Sequence, residues 1–289
     1  MNTREPDYRA YPAAPQISDF VRRYMYVEAD HHIEAPLYPA PTGCGYMGYL
    51  FSGDAYCLVD GEKFSSQTGL HFCCQIDRRD FVVHYKGKIG HIMAELTATG
   101  MYRLFGQPTG SLHHLWHDAI DVIDPKIAEK IKQDLSAASS REDRIATFDA
   151  AFTHLAKSAR PEVPIVDEAA RLIEQSQGKV SISSLSEKLN VSERNLSRKF
   201  SQYVGVSPKF YARAVQLMII MQQLLMRKER NLTDVAIEQG FYDQSHFIKS
   251  LQDFIDETPR EITGGERHMV NWFAGELEAI GFTSSNKRT

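Results

Sequence analysis

Cysteine is scarce in this chain, with four among 289 residues (Cys44, Cys57, Cys73 and Cys74). Four are too few for a disulfide framework at this size, none stand in C-x-x-C spacing, and reduced thiols are the expected state. Positive charge is not in excess either: 33 Lys and Arg face 37 Asp and Glu, a formal net charge of -4 with a sequence pI near 6.3. No global basicity points to nucleic acid, so any basic surface must be local. Long hydrophobic runs are missing as well. The most apolar stretch, Ala214 to Met226, is broken by Gln216, Gln222 and Gln223 and is too short to cross a bilayer. The opening MNTREPDYRAYP lacks the basic-then-apolar layout of a secretory signal, and a cytoplasmic location is expected, with no membrane partner. Metal ligands are thinly spread. There is no H-x-H pair; His31 and His32 are adjacent and diverge on a strand; His113 and His117 stand at i, i+4 and could share a metal on a helix, although surface histidines are the simpler reading. No nucleophile and base fall in a recognisable motif. The chain reads as no enzyme, with no catalytic residues, metal or cofactor.

What is present divides into two halves. Residues 1 to about 110 read as short strands: Tyr46 to Phe51, Tyr56 to Val59, Leu70 to Gln75, Phe81 to Tyr85 and Ile89 to Leu96. Turn signals separate them at Ser52-Gly53-Asp54, Asp60-Gly61 and Lys86-Gly87-Lys88. Closely spaced short strands suggest a small barrel or sandwich, whose many aromatics fill a core or line a mouth for a small ligand. From Gly100 the pattern turns helical. Tyr102 to Phe105 gives a turn or two, ended by Gly106 and Pro108. Asp124-Pro125 opens a helix carrying Ile127, Ile131 and Leu135. Ser139 with Glu142 has capping-box spacing for another, with the stripe Ile145, Phe148, Phe152 and Leu155. These two helices either pack on the barrel or pair with a second subunit.

Ala159 to Pro164, with two prolines and no periodicity, reads as a linker, followed by a helix from Ile165 to Gln177 that stops at Gly178. Ser181 then caps a helix with Ile182, Leu185 and Leu189 on one face. Asn190-Val191-Ser192 breaks it, and Ser192 caps a second helix backed by Leu196, Phe200, Tyr203 and Val204. The front of that helix carries Arg194, Asn195, Ser197, Arg198 and Lys199, side chains suited to a major groove. Read alone, this pair fits equally a surface helix pair with a solvated charged face. Two further features decide between the readings. Lys188 to Arg230 holds nine Lys and Arg against Glu193 and Glu229. The pattern also repeats: Asn231-Leu-Thr-Asp234 matches the capped start, Val235-Ala236 stands where Leu185-Ser186 stood, Gly240-Phe241 takes the turn, and Phe247 and Thr258-Pro259 mirror Leu196 and Ser207-Pro208 at an offset of 51. A long helix, Pro208 to Arg227, joins the two copies, with Phe210, Ala214, Leu217, Met218 and Met221 turned inward and a basic end at Arg227-Lys228-Glu229-Arg230. Paired units of this kind suit adjacent major-groove segments about one helical turn, ~34 Å, apart.

Ser181 to Ile262 resembles the DNA-binding domain of the AraC/XylS family of bacterial transcription regulators. The resemblance rests on Leu185 to Leu189, Arg194 to Phe200, Gly205-Val-Ser-Pro208, Ile237-Glu-Gln-Gly-Phe241 and Asp243-Gln-Ser-His-Phe247. It implies two helix-turn-helix subdomains bridged by a linker helix, double-stranded operator DNA as partner, and a role as activator or repressor; a homodimer and contact with RNA polymerase are implied with it. Asn190 stands where the family usually has Gly, a substitution that asparagine's tolerance of left-handed geometry permits. Leu251, Asp256 and Glu257 replace the usual Phe, Gly and apolar residue, and with Asp253 they make the second copy acidic near its end, so weaker or less specific DNA binding is expected there. Arg194, Ser197 and Arg198 are the expected base-facing groups of the first unit, Asn195 a base or phosphate contact, and Lys199 and Gln202 touch phosphate or nothing. Gln244, Ser245, His246 and Lys249 take the corresponding face of the second. Ala94-Glu-Leu through Gly100 to Gly106 looks like the cupin-like sensor domains found ahead of this DNA-binding domain, which implies an effector or a dimer contact.

The expected fold is α+β in two domains: a β-rich, cupin-like barrel or sandwich (1–110), a helical connector (111–158), a linker (159–164), and an all-α double helix-turn-helix domain (165–263, with units at about 183–204 and 232–255). An extra helix with the stripe Met269, Trp272, Phe273 and Leu277, and a polar tail, follow (264–289). The expected function is a sequence-specific transcription regulator governed by a small effector in the N-terminal half. The alternatives are a ligand-independent dimeric regulator and, more distantly, a cupin enzyme fused to a DNA-binding module.

Overall fold

The computed structural model describes residues 6–37, 43–59, 61–73, 81–107, 116–226 and 232–255. Its first half is built on β1 (Asp7–Pro12), β2 (Val21–Glu28), β3 (Ile33–Leu37), β4 (Tyr46–Val59), β5 (Glu62–Cys73), β6 (Phe81–Leu96) and β7 (Trp116–Asp118), with the short helix α1 (Gly100–Phe105) between the last two. Among the described residues these seven strands form one antiparallel sheet in the order β1-β2-β6-β4-β5-β7, with β3 also pairing with β6. The 16-residue β6 is the spine: β4 runs along one edge, while β3 and then β2 share the other.

Two expected turns are not turns. β4 continues through Ser52-Gly53-Asp54, where its pairing with β6 shifts register, and Gly53 (φ 79°) absorbs the irregularity as a bulge would. β6 continues through Lys86-Gly87-Lys88, with Gly87 at φ 104°. A glycine between apolar runs reads as a turn, yet in a bent sheet it also relieves a long strand. The third turn signal stands: Val59 pairs with Glu62, and Gly61 before it has φ 78°, the backbone a tight hairpin demands. β5 begins at Glu62, well before the expected Leu70, and ends at Cys73. Strands β1 to β3 carry no strong alternation and were not resolved by pattern. His31 lies in the bend between β2 and β3, not on a strand, and its Nδ1 meets Asp30 at 3.1 Å. His117 sits on β7, not on a helix, while His113 and Cys74 lie outside the described residues.

Both faces of the sheet are covered, which explains why β6 is buried without interruption from Ile89 onward. On one face Tyr24, Tyr49, Phe72, Ile92 and Ala94 meet α2 (Pro125–Ala137) and α3 (Arg141–Ala156) through Ile131, Leu135, Phe148 and Phe152. Burial of each such side chain contributes about 1.5–3 kcal/mol. Asp124 caps α2 as expected, accepting from the Lys126 and Ile127 amides. The capping box of α3 is one residue later than expected: Ser140 pairs with Asp143, not Ser139 with Glu142, because the serine nearest the first turn takes the cap and leaves Ser139 to donate to Asp143 at 3.3 Å. The opposite face gathers Met25, Val27, Tyr46, Leu50, Met93 and Trp116.

The second half is helical: α4 (Pro164–Gln175), α5 (Ile182–Lys188), α6 (Glu193–Val204), α7 (Pro208–Met226), α8 (Leu232–Glu238) and α9 (Gln244–Ile255). Val166 and Ile173 of α4, Leu185 of α5, Leu196 and Phe200 of α6, and Tyr211 and Val215 of α7 make its core. The basic run 227–230, Asp256, Glu257 and the C-terminal segment 264–289 lie outside the described residues. Among the described residues no helix is long and apolar enough to cross a membrane.

Candidate nucleic-acid interface

The first helix pair is fastened by two serines. Ser181 Oγ accepts from the Ser184 amide at 3.1 Å, and Ser192 Oγ from the Asn195 amide at 3.2 Å. Between them Asn190 adopts φ 53°, and the turn closes as the Asn190 and Val191 amides donate to Glu187 and Ser186 carbonyls, both at 3.0 Å. Leu196, Phe200 and Val204 bury the back of α6, and Gly205 (φ 95°) ends it. This fixes what α6 shows outward. Arg194, Arg198 and Gln202 are exposed; Asn195, Ser197 and Lys199 are half-buried at the edges of the same front. Arg198 donates to Asn195 Oδ1 at 3.2 Å, so the amide steadies the guanidinium without covering it.

The second pair repeats this construction. α8 matches α5 at 7 residues each, and α9 matches α6 at 12 each. Gly240 (φ 81°) occupies the Asn190 position, and the amides of Gly240 and Phe241 donate to Ile237 and Ala236, both at 2.9 Å. Asp243 replaces Ser192 as the cap, accepting from the His246 amide at 2.7 Å. Val235, Ala236 and Phe247 form the buried back. Gln244, Ser245, His246 and Lys249 are exposed on one face of α9, with Gln244 Oε1 accepting from Thr233 at 3.2 Å and His246 meeting the edge of Phe241. Tyr242 stands 92% exposed at the head of that face, a residue that the motif reading passed over because no periodicity marks a turn.

α7 joins the pairs over 19 residues, about 28 Å of helix. Its buried side includes Ala214, Val215, Leu217, Ile219 and Ile220, with Phe210 and Met218 only partly buried and Met221 outside the side chains described. Gln216 donates to the Gln239 carbonyl at 2.9 Å, and Arg213 reaches the carbonyl and hydroxyl of Ser250 on α9 at 3.1 and 3.3 Å. Arg213 thus works inside the domain, so one of the nine cations counted toward a basic patch is turned to structure. Charge also separates the copies. Residues 182–204 hold four Lys and Arg against two acids; 232–255 hold Lys249 alone against Asp234, Glu238, Asp243 and Asp253.

The helical half is tied to the sheet. Arg22 on β2 pairs with Glu174 of α4 and donates to Tyr211 Oη of α7 at 2.6 Å, while Tyr211 also donates to Glu174. Thr99 donates to Asp167 of α4, and Tyr102 packs edge-on against Tyr203 of α6. Burial drives the Tyr211 hydroxyl well above its ordinary pKa and the Cys44 thiol beside it up to about 12, so both stay protonated. Nothing in the sequence flags these partners.

The family model described as "Helix-turn-helix domain" matches residues 185–264. The HTH-type transcriptional activator RhaS of Citrobacter koseri is 33% identical over 82 residues, 28% of this chain and 29% of that protein. RhaS of Escherichia coli is 33% identical over 86 residues, 30% and 31% of the two chains. This chain therefore spans about three-tenths of the length of these curated relatives. Among solved structures, unsaturated fatty acid-bound ToxT of Vibrio cholerae aligns at a TM-score of 0.44 with 10% identity, covering 91% of this chain and 96% of that one. An AraC-type DNA-binding-domain protein of Chromobacterium violaceum aligns at 0.31 with 27% identity, covering 35% and 90%. By the helix pairs, their turns and this match, residues 185–264 form a helix-turn-helix domain similar over its length to that of the RhaS activators.

Proposed function

We propose that the protein is a sequence-specific, DNA-binding transcription regulator in which α6 and α9 enter successive major-groove segments of an operator. The observation that carries this is the duplicated helix pair, equal in helix lengths and turn hydrogen bonds, presenting Arg194, Asn195, Ser197 and Arg198 outward from a fully buried back. Arg198 is the base-reading group, its fork suited to guanine O6 and N7; Lys199 and Gln202 take phosphate; Gln244, Ser245, His246 and Lys249 serve the second segment. The cupin-like sheet (1–110) is the sensor for a small effector, the connector (111–158) is a homodimer contact, and the protein works in the cytoplasm. RNA polymerase is the partner expected at an activated promoter.

Quantitative binding to a selected operator tests the reading. Arg198→Ala should lose about 1–3 kcal/mol of discrimination at one base pair, and Lys199→Ala should lower the salt slope by about one with little change in base preference. Unchanged affinity and sequence preference in Arg198→Ala would remove the assignment.

A further inference from the structure

We propose that the open cleft between the sheet and α4 is a binding site for a compact organic oxyanion, a carboxylate or phosphate carried on a hydroxylated molecule, with Arg103 as its anchor. The cleft has a volume of about 500 Å³ and is walled by Ser18, Arg22 and Thr99 from the sheet half and by Asp167 and Glu174 from α4. Arg103 of α1 lines it and is only 9% exposed. A guanidinium carries five N–H donors. Among the described residues the one hydrogen bond of its side chain runs to the Asp19 carbonyl, at 3.5 Å from Nη1; Nε is sealed from solvent without an acceptor, so Nη1 and Nη2 are the donors a ligand would meet. The ring of Phe20, 4.5 Å from Cζ, covers one face but supplies no counter-charge.

Of the other charged groups lining the cleft, all but the Asp19 and Glu162 carboxylates are engaged. Glu174 holds Arg22 and Tyr211, Glu95 holds Arg23 at 2.7 Å, Asp167 accepts from Thr99 and the Val163 amide, and Arg171 pairs with Glu168. A buried arginine left with one long contact is costly, and a carboxylate or phosphate, matching its fork with two parallel hydrogen bonds, removes that cost. The carboxylates of Asp19 and Glu162 stand on the exposed rim. They call for donors on the ligand and disfavour a bare polyanion or a long acyl chain.

The site also spans the molecule's two halves. Arg103 and Thr99 belong to the sheet half, while α4 packs on both α6 and α7. An anion there would bear on the helix carrying Arg198, and only this regulatory consequence rests on the DNA-binding reading above; the binding itself does not.

Full-length protein without DNA is titrated calorimetrically with gluconate, inorganic phosphate and dodecanoate at constant ionic strength. Saturable binding of gluconate, tighter than that of inorganic phosphate, is expected, weakened about 10- to 100-fold in Arg103→Met and partly kept in Arg103→Lys. Because Met removes an uncompensated buried charge, Arg103→Met should melt no lower than the wild type in the absence of anion. Should that variant fail to fold, hydrogen exchange of the wild type decides, with anion-dependent protection expected at residues 97–105 and 163–174. No saturable binding, binding to dodecanoate alone, undiminished binding in a folded Arg103→Met, or absent protection at those segments would each overturn the site. Operator binding, measured separately through Arg198→Ala, stands or falls on its own.

Discussion

Gly178 sits where α4 turns toward α5, at φ 76°, and a Cβ built there would lie 2.2 Å from the Ala212 carbonyl oxygen of α7. The residue therefore meets two demands, a left-handed backbone and a close approach of two helices, and neither can relax by a side-chain movement. Gly178→Ala should cost about 2 kcal/mol or more, read as a lower urea midpoint at unchanged slope. Two buried histidines give a different residue-scale prediction. His71 donates from Nδ1 to the Gly69 carbonyl at 3.0 Å and faces His91 Nε2 at 3.2 Å, and the His91 Nδ1 meets Tyr85 Oη at 2.7 Å. This chain is satisfied with both rings neutral. Burial lowers the His71 pKa to about 4 and that of His91 well below its ordinary value, the latter helped by His71 itself. The unfolded chain, with histidine near 6.5, binds more protons between these limits, so stability is full above that value and falls as pH drops through 6.5 toward 4. The loss is about 1 kcal/mol per histidine for each pH unit in that window. Thermal midpoints measured from pH 7 to 5 should fall, and His91→Phe should flatten the slope; an unchanged slope would show that the pair does not titrate with unfolding.

At the scale of elements, the caps do what the apolar periodicity cannot: they decide where α6 and α9 begin and hence which side chains face outward. Ser192→Ala and Asp243→Ala should each cost about 1 kcal/mol. Both should also weaken operator binding, because the first turn carrying Arg194 or Gln244 frays; circular dichroism with binding titrations reads both effects. The element level is also where sequence was most informative. Ser181, Ser192 and Asp124 were legible as caps, and Leu196, Phe200 and Val204 as a buried back, since helix periodicity and capping are properties of neighbours in the chain. The sheet was less legible. Gly53 and Gly87 look like turn residues locally, and only the continuity of pairing on both sides of β6 makes them bends in long strands.

For the whole molecule, the contact between the halves matters most. Glu174 answers Arg22 across 152 residues of chain, and Arg22 is nearly buried. Glu174→Gln should destabilise by about 2 kcal/mol, less than for an isolated buried pair because Glu95 remains 3.8 Å from Arg22. Denaturant unfolding followed both by tryptophan emission and by far-ultraviolet dichroism should then separate into two transitions as the halves uncouple.

The duplicated helix pair, its capped starts, its outward arginines and the contrast in charge between the copies are all written in the order of residues along the chain. These arise from residues three, four or about fifty positions apart, spacings that leave a readable pattern. That Arg213 turns inward to Ser250, that His71 meets His91, and that Arg103 lies buried beside an open cleft follows from the packing of distant segments. Each of these depends on which strands and helices come to lie together, and burial, which sets the cost of an unanswered charge, exists only once they have.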